Sequence, residues 1–339
     1  MRASHAADIM VFMSYNCGKV SRPEQGHRMV TRGKTIVIAG AGSIGCYAGG
    51  CLILAGRKVF LLARPRVEKA LQEAGLRITD PDGRDRSVKP DALSVTADPA
   101  VAFSDADVIL VTVKSGATQD MAGLIAAHAR PDVVILSLQN GVDNADKLRA
   151  HLTAQPVLAG MVPFNVVQSP EGELPLRLHR ASGGKVMIEQ GSAGLDELLD
   201  VEGFAVATHG DIDAVLWDKL LLNLNNALVA LSGLPLAAEL ADRRWRLILA
   251  GQIDEALAAM TATGIEPARI AGLRPALLPK CFACPTGCSS SWRGGCLPSI
   301  RPRVRRCGMT CGAAGRRRSA NCKARSCVWP KRPARRRLC

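Results

Sequence analysis

Apolar and polar positions alternate between two rhythms along the first half of the chain. Short, continuous apolar runs rich in β-branched residues fall at Lys34–Ala39, Lys58–Ala63, Asp107–Val113, Asp132–Leu138 and Pro156–Val162. They read as buried strands of a parallel sheet. Between them lie helix-compatible stretches, from Ser43 to Leu54 and at about Arg66–Ala74, Thr118–Ala129 and Asp143–His151. Strands alternating with helices at this spacing predict an α/β domain with an open, doubly wound parallel sheet. Residues 75–97 are polar and interrupted by Pro81-Asp82-Gly83, which predicts a small hairpin excursion. Residues 164–208 read as irregular strands with turns at Ser169-Pro170 and Gly183-Gly184. From Asp211 the rhythm becomes helical through Leu234, and again over about Asp242–Thr263. The expected architecture is a Rossmann-type domain over residues 29–208 followed by a smaller all-helical domain over 209–280.

The first strand runs into Gly40-Ala41-Gly42-Ser43-Ile44-Gly45, and a helix and a second strand follow. Inside a β-α-β unit this glycine spacing is a dinucleotide signature. Gly40 suits the tight turn, Gly42 lets the backbone approach a pyrophosphate, and Gly45 allows close helix–strand packing. The helix start offers free N–H groups to phosphate. The second strand ends on Arg64, with Arg66 and Lys69 behind it and no carboxylate. An arginine there suits the 2′-phosphate of NADP; a solvated basic helix start is the plainer alternative. Lys114 and Asn140 follow two further strands, at the carboxyl edge where ligands of such sheets lie. Lys114 reads equally well as a solvent-facing loop lysine.

Lys219 and Asn223 are four apart and share a helical face, with Asn226 three residues on. A lysine and two asparagines in so apolar a stretch are costly to bury without partners. Closed over a nicotinamide, Lys219 could donate a proton to a carbonyl. A wet stripe on an ordinary amphipathic helix gives the same pattern.

Net charge changes the picture only when its position is considered. The chain carries +14, yet residues 281–339 hold 15 of the 44 Lys and Arg, none of the 30 Asp and Glu, and nine of the twelve cysteines. The first 280 residues are thus one charge from neutral and cysteine-poor, as expected of a cytoplasmic protein without nucleic-acid or membrane partners. No apolar run reads as long enough to span a bilayer. Residues 1–28 read as a disordered extension, with Met29 as a candidate start.

Taken together, GAGSIG, the arginine ending the second strand, Lys114, Asn140-Gly141 and the Trp217-Asp218-Lys219-Leu220 helix with Asn223 resemble the ketopantoate reductase (2-dehydropantoate 2-reductase) family, in order, over residues 34 to about 280. The resemblance implies NADPH-dependent reduction of ketopantoate to pantoate, on the route to pantothenate and coenzyme A. It implies Lys219 as general acid, Asn140 as a contact to cofactor and substrate, and Asn223 as a substrate contact. Asn226, one residue short of the family's next asparagine at the position of Ala227, is a further candidate substrate contact. Lys114 would face the nicotinamide region. A small 2-oxo acid is the expected partner, a homodimer is possible, and no metal ligands are assigned. A second departure is a missing asparagine around Leu234–Leu236. These leave open a paralogous reductase of another 2-oxo acid or a non-catalytic NADP-binding remnant.

After Lys280 the family's Arg-Ser-Ser-Met-x-x-Asp and Thr-Glu-Ile segments do not appear, and apolar periodicity for a helix is lost. Cys281-x-x-Cys284 and Cys307-x₃-Cys311 would suit zinc only poorly, because the second pair has the wrong form and no histidine follows His209. The genetic code offers another reading. Taking the third base of each codon with the first two of the next, residues 304–331 can encode SSM(R/W)DDL..GRPTEIGELQGEIVRLAEA. Met309-Thr310 forces Asp in that frame, at the family's aspartate. The tail thus reads as out-of-frame sequence after a shift near Lys280, and the reading costs the chain its substrate-contacting serine and glutamate.

Overall fold

The computed structural model describes residues 33–170, 172–191, 193–268 and 274–284. The expectations for residues 1–28 and for the tail from 285 onward lie outside these. The strands are β1 (Thr35–Ala39), β2 (Lys58–Leu62), β3 (Leu76–Thr79), β4 (Asp85–Val88), β5 (Ser94–Thr96), β6 (Val108–Val111), β7 (Val134–Ser137) and β8 (Val157–Met161). They continue with β9 (Val166–Gln168), β10 (Leu176–Arg180), β11 (Val186–Glu189) and β12 (Val206–His209). The main sheet has eight strands in the order β12-β11-β8-β7-β6-β1-β2-β5. All its neighbours pair in parallel except β8 with β11. Strand order reverses between β1 and β6, and that switch point opens the crevice of a doubly wound fold. The expected Rossmann-type α/β class is what the chain adopts.

The period of two in β1 sorts its side chains onto the two faces of the sheet. Ile36 and Ile38 join a core with α1 (Ser43–Leu54), whereas Val37 and Ala39 face the opposite layer. That opposite layer is built from α3 (Pro99–Phe103), α4 (Thr118–His128) and α5 (Asn144–His151), while α2 (Pro65–Ala74) follows β2. α1 is apolar all round because it is covered on two sides. A Cβ at Gly49 would stand 2.7 Å from Leu61 of the main sheet, and one at Gly50 would stand 2.7 Å from Ile78 of a second sheet.

That second sheet corrects the expectation of irregular strands over 164–208. It has the order β4-β3-β10-β9, with β10 running parallel to β3. Leu176, Leu178 and Arg180 of β10 are buried. The rest of the segment adds β11, α6 (Leu195–Leu199) and β12 to the main sheet edge. Asp80 ties the second sheet together, accepting from the Asp82 and Arg84 amides, from Arg84 Nη1 at 2.6 Å and from Arg180 Nη2 at 3.4 Å.

The helical part contains α7 (Ile212–Asn223), α8 (Asn225–Ser232), α9 (Leu236–Ala241), α10 (Arg243–Ala262) and α11 (Leu278–Ala283). Residues 212–232 are, by length and composition, apolar enough to cross a membrane, contrary to the sequence reading. Burial covers part of this stretch: Ile212, Val215 and Leu216 pack with Met161 and Met187, and Leu221, Leu222 and Leu228 pack with α10 and α11, whereas Leu231 is exposed. α11 also runs to Ala283, three residues past the expected loss of helix at Lys280, with Phe282 buried among Leu249 and Ile253.

Candidate active site

The glycine loop is shaped by steric exclusion. Gly40 has φ +115°, in the region that favours glycine, and a Cβ there would stand 2.7 Å from Val113 Cγ1. A Cβ at Gly45 would collide with the Gly40 carbonyl and stand 2.6 Å from Thr112 Oγ1. Thr112 Oγ1 donates to the Gly40 carbonyl at 2.7 Å, and the Ala41 amide donates to Leu62 O at 3.0 Å. The loop is therefore pinned to the ends of both β6 and β2. Gly42 caps α1 without a side-chain hydrogen bond, and the first turn carries no acidic residue. The N–H groups of Ser43, Ile44 and Gly45 thus lack helical acceptors and present the positive end of the helix dipole. This cradle fits a dinucleotide pyrophosphate. Arg64 caps α2 at the end of β2 and is exposed, with Pro65 starting the helix.

A buried polar network joins the next two strand ends. Gln139 Nε2 donates to the Val113 carbonyl at 3.0 Å and to Thr118 Oγ1 at 2.8 Å. Gln139 Oε1 accepts from Ser137 Oγ at 3.2 Å. Asn144 Nδ2 donates to the Asn140 carbonyl at 2.7 Å and to Ser115 Oγ at 3.1 Å, and Ser115 Oγ donates to the same carbonyl at 3.1 Å. Its effect is to fix the backbone on both sides of Lys114 and of Asn140, whose side chains are exposed. Gly141 follows with φ +105° and completes the turn.

Lys219 comes to the same edge from α7. Its Nζ donates to the Pro163 carbonyl at 3.4 Å, two residues beyond the end of β8. Phe164 holds that peptide in place: its ring packs edge-on against Tyr47 of α1 and against Phe204, with the Arg180 guanidinium 5.7 Å from its centroid. Burial lowers the pKa of the Lys219 ammonium below the usual lysine value. β1, β6, β7 and β8 are consecutive, parallel neighbours, so the glycine loop, Lys114, Asn140 and the Pro163 anchor of Lys219 lie side by side along one sheet edge.

Asn223 is half-buried at the end of α7, on the Lys219 face. Asn226 follows in α8 (Asn225–Ser232). Leu224, with helical dihedrals, joins α7 to α8; Asn226 is exposed and Asn225 is buried, with no donor to Asn225 Oδ1 among the described residues. Asn225, Thr112, Thr118, Gln139 and Asn144 were not singled out from the sequence. Their only advance signal was polarity inside or beside strongly apolar stretches.

The model of the ketopantoate reductase PanE/ApbA family matches residues 36–192. A 2-dehydropantoate 2-reductase of Halobacterium salinarum is 29% identical over 240 residues, covering 68% of this chain and 76% of the relative. The crystal structure of a PanE/ApbA family ketopantoate reductase from Ralstonia eutropha JMP134 is 32% identical, with TM-score 0.62, covering 73% of this chain and 80% of that one. A 2-dehydropantoate 2-reductase from Geobacter metallireducens GS-15 is 25% identical with TM-score 0.62, covering 78% and 85%. With the glycine cradle at the switch point and Lys219 on the same edge, these likenesses make the chain a member of the ketopantoate reductase family of NAD(P)-dependent oxidoreductases.

Proposed function

We propose that this chain is built to reduce 2-dehydropantoate to pantoate with NADPH, in the pathway to pantothenate, with Lys219 as proton donor. The observation that carries the reading is Lys219 itself, a half-buried ammonium on the Pro163 carbonyl at the sheet edge that also bears the glycine loop. Bound NADPH would supply the hydride. The chain's own residues do the rest: the loop N–H groups hold the pyrophosphate, and Arg64 meets the 2′-phosphate. Lys114 and Asn140 stand on backbone fixed by the Gln139–Asn144 network. Lys219 holds a proton for the substrate carbonyl oxygen, and a depressed pKa brings it nearer the range where general acids work well. Asn223, one helical turn along, orients the 2-oxo acid.

We also propose that the native reading frame is lost near Lys280, so that the family's substrate-contacting serine and glutamate are missing. Nucleotide sequence across codon 280 tests this directly, since an alternative frame must continue the family pattern. The functional test is NADPH oxidation with 2-dehydropantoate, on this chain and on a frame-restored version. Turnover in the restored chain supports the reading. NADPH binding without turnover in either chain would reject 2-dehydropantoate as the substrate.

A further inference from the structure

β9 belongs to the second sheet, yet it crosses α1 close to the glycine loop. Its last residue, Gln168, reaches that loop: Ser43 Oγ donates to Gln168 Oε1 at 3.3 Å. Ser43 is the first residue of α1, inside the Gly40–Gly45 motif. Gln168 is exposed, and its two amide N–H donors have no acceptor among the described residues. Beside it opens a pocket of about 270 Å³ between α2 and the β9–β10 hairpin, lined by Arg66, Lys69, Gln168, Pro170 and Leu174. Glu73 and Glu173 line it too, so its charge is mixed and does not by itself define an anion site. What selects phosphate is the reach of Gln168 to a helix start whose own N–H groups face outward.

We propose that Gln168 is a cofactor-binding residue, its side-chain amide donating to a phosphate oxygen of the dinucleotide held at the glycine loop. The inference rests on the cofactor reading above. It gives the second sheet a task beyond covering α1, because β9 delivers a donor that the β-α-β unit lacks. With Ser43 Oγ turned to the same anion, the Ser43–Gln168 contact exchanges for two contacts to phosphate.

The test is NADPH affinity of the full chain, read by nucleotide fluorescence, for wild type, Gln168→Ala and Gln168→Glu. Losing a hydrogen bond to a charged group should raise the Kd about tenfold in Gln168→Ala. Gln168→Glu should lose more, with the excess shrinking as salt screens the repulsion. Because Gln168 is exposed, both variants should melt within about 1–2 °C of wild type. In hydrogen exchange, NADPH should protect the β9–β10 hairpin of the wild type and not of Gln168→Ala. Variants binding NADPH within about twofold of a wild type that binds well would overturn the role of Gln168 alone. A wild type that does not bind NADPH would overturn the cofactor reading, and this inference with it.

Discussion

Replacing Gly45 by alanine separates the two demands on the glycine loop, its own packing and its approach to ligand. The added Cβ would run into the Gly40 carbonyl, stand 2.6 Å from Thr112 Oγ1 and stand 2.8 Å from Ile38 Cγ2. The first two atoms form the 2.7 Å hydrogen bond that pins the loop to β6. Relief therefore means pushing α1 off the sheet or breaking that bond. Overpacking costs about 1–3 kcal/mol, and the lost hydrogen bond about 0.5–1.5 kcal/mol. Where both occur the loss is roughly 2–4 kcal/mol, and Tm falls by several degrees. Because the strain lies in the loop, NADPH affinity should fall at least about tenfold, the equivalent of about 1.4 kcal/mol. Gly42→Ala is the contrast, since its Cβ meets nothing within 4 Å. It should melt like wild type and still bind NADPH more weakly, because its methyl projects where the pyrophosphate approaches. Thermal melts and fluorescence titrations of the two variants give the answer. A Gly45→Ala protein with wild-type Tm and wild-type NADPH affinity would refute the steric account of the cradle.

Arg64→Ala should weaken NADPH binding about tenfold and leave NADH binding nearly unchanged, the loss expected for a charge-assisted hydrogen bond; equal losses for both nucleotides would assign Arg64 no part in discrimination. Gln139→Leu removes the donor shared by Val113 O and Thr118 Oγ1 and leaves buried acceptors unpaired, so denaturant melts should show about 1–3 kcal/mol of lost stability. Glu239 is buried in α9 with no donor to either carboxylate oxygen among the described residues, and burial raises its pKa. The folded chain therefore binds that proton more tightly than the unfolded chain, and stability falls as pH rises from the ordinary carboxylate range through the raised value. Glu239→Gln should raise Tm at neutral pH and change it little near pH 4, the ordinary range for this acid; a variant equally shifted at both pH values would contradict the burial argument.

Where pattern is local, the sequence was readable. β1, α1 and β2 emerge from one 31-residue run, and the strand ends that carry Arg64, Lys114 and Asn140 follow from continuous apolar segments. The second sheet was not readable, because β10 pairs in parallel with β3, one hundred residues earlier; each strand alternates apolar and polar residues, but nothing local names its partner. The polar network under Lys114 and Asn140 has the same origin: Gln139, Thr118 and Asn144 acquire meaning only when two loops meet. The burial of Asn225 was not readable for a related reason: it stands next to Asn226 in the same apolar stretch, and pattern alone does not say which of the two faces inward. The apolar character of 212–232 is partly explained by packing, since its buried side chains meet both the sheet and the helical cluster.

The central claim is that Lys219 gives the proton. It is tested most directly by single-turnover reduction of 2-dehydropantoate by NADPH, comparing the frame-restored chain with its Lys219→Ala variant while NADPH affinity is measured in parallel. The account predicts that the chemical step slows by about 10²–10⁴, the range for loss of a general acid, with NADPH Kd unchanged. A Lys219→Ala enzyme whose chemical step stays within a few-fold of the parent would contradict it.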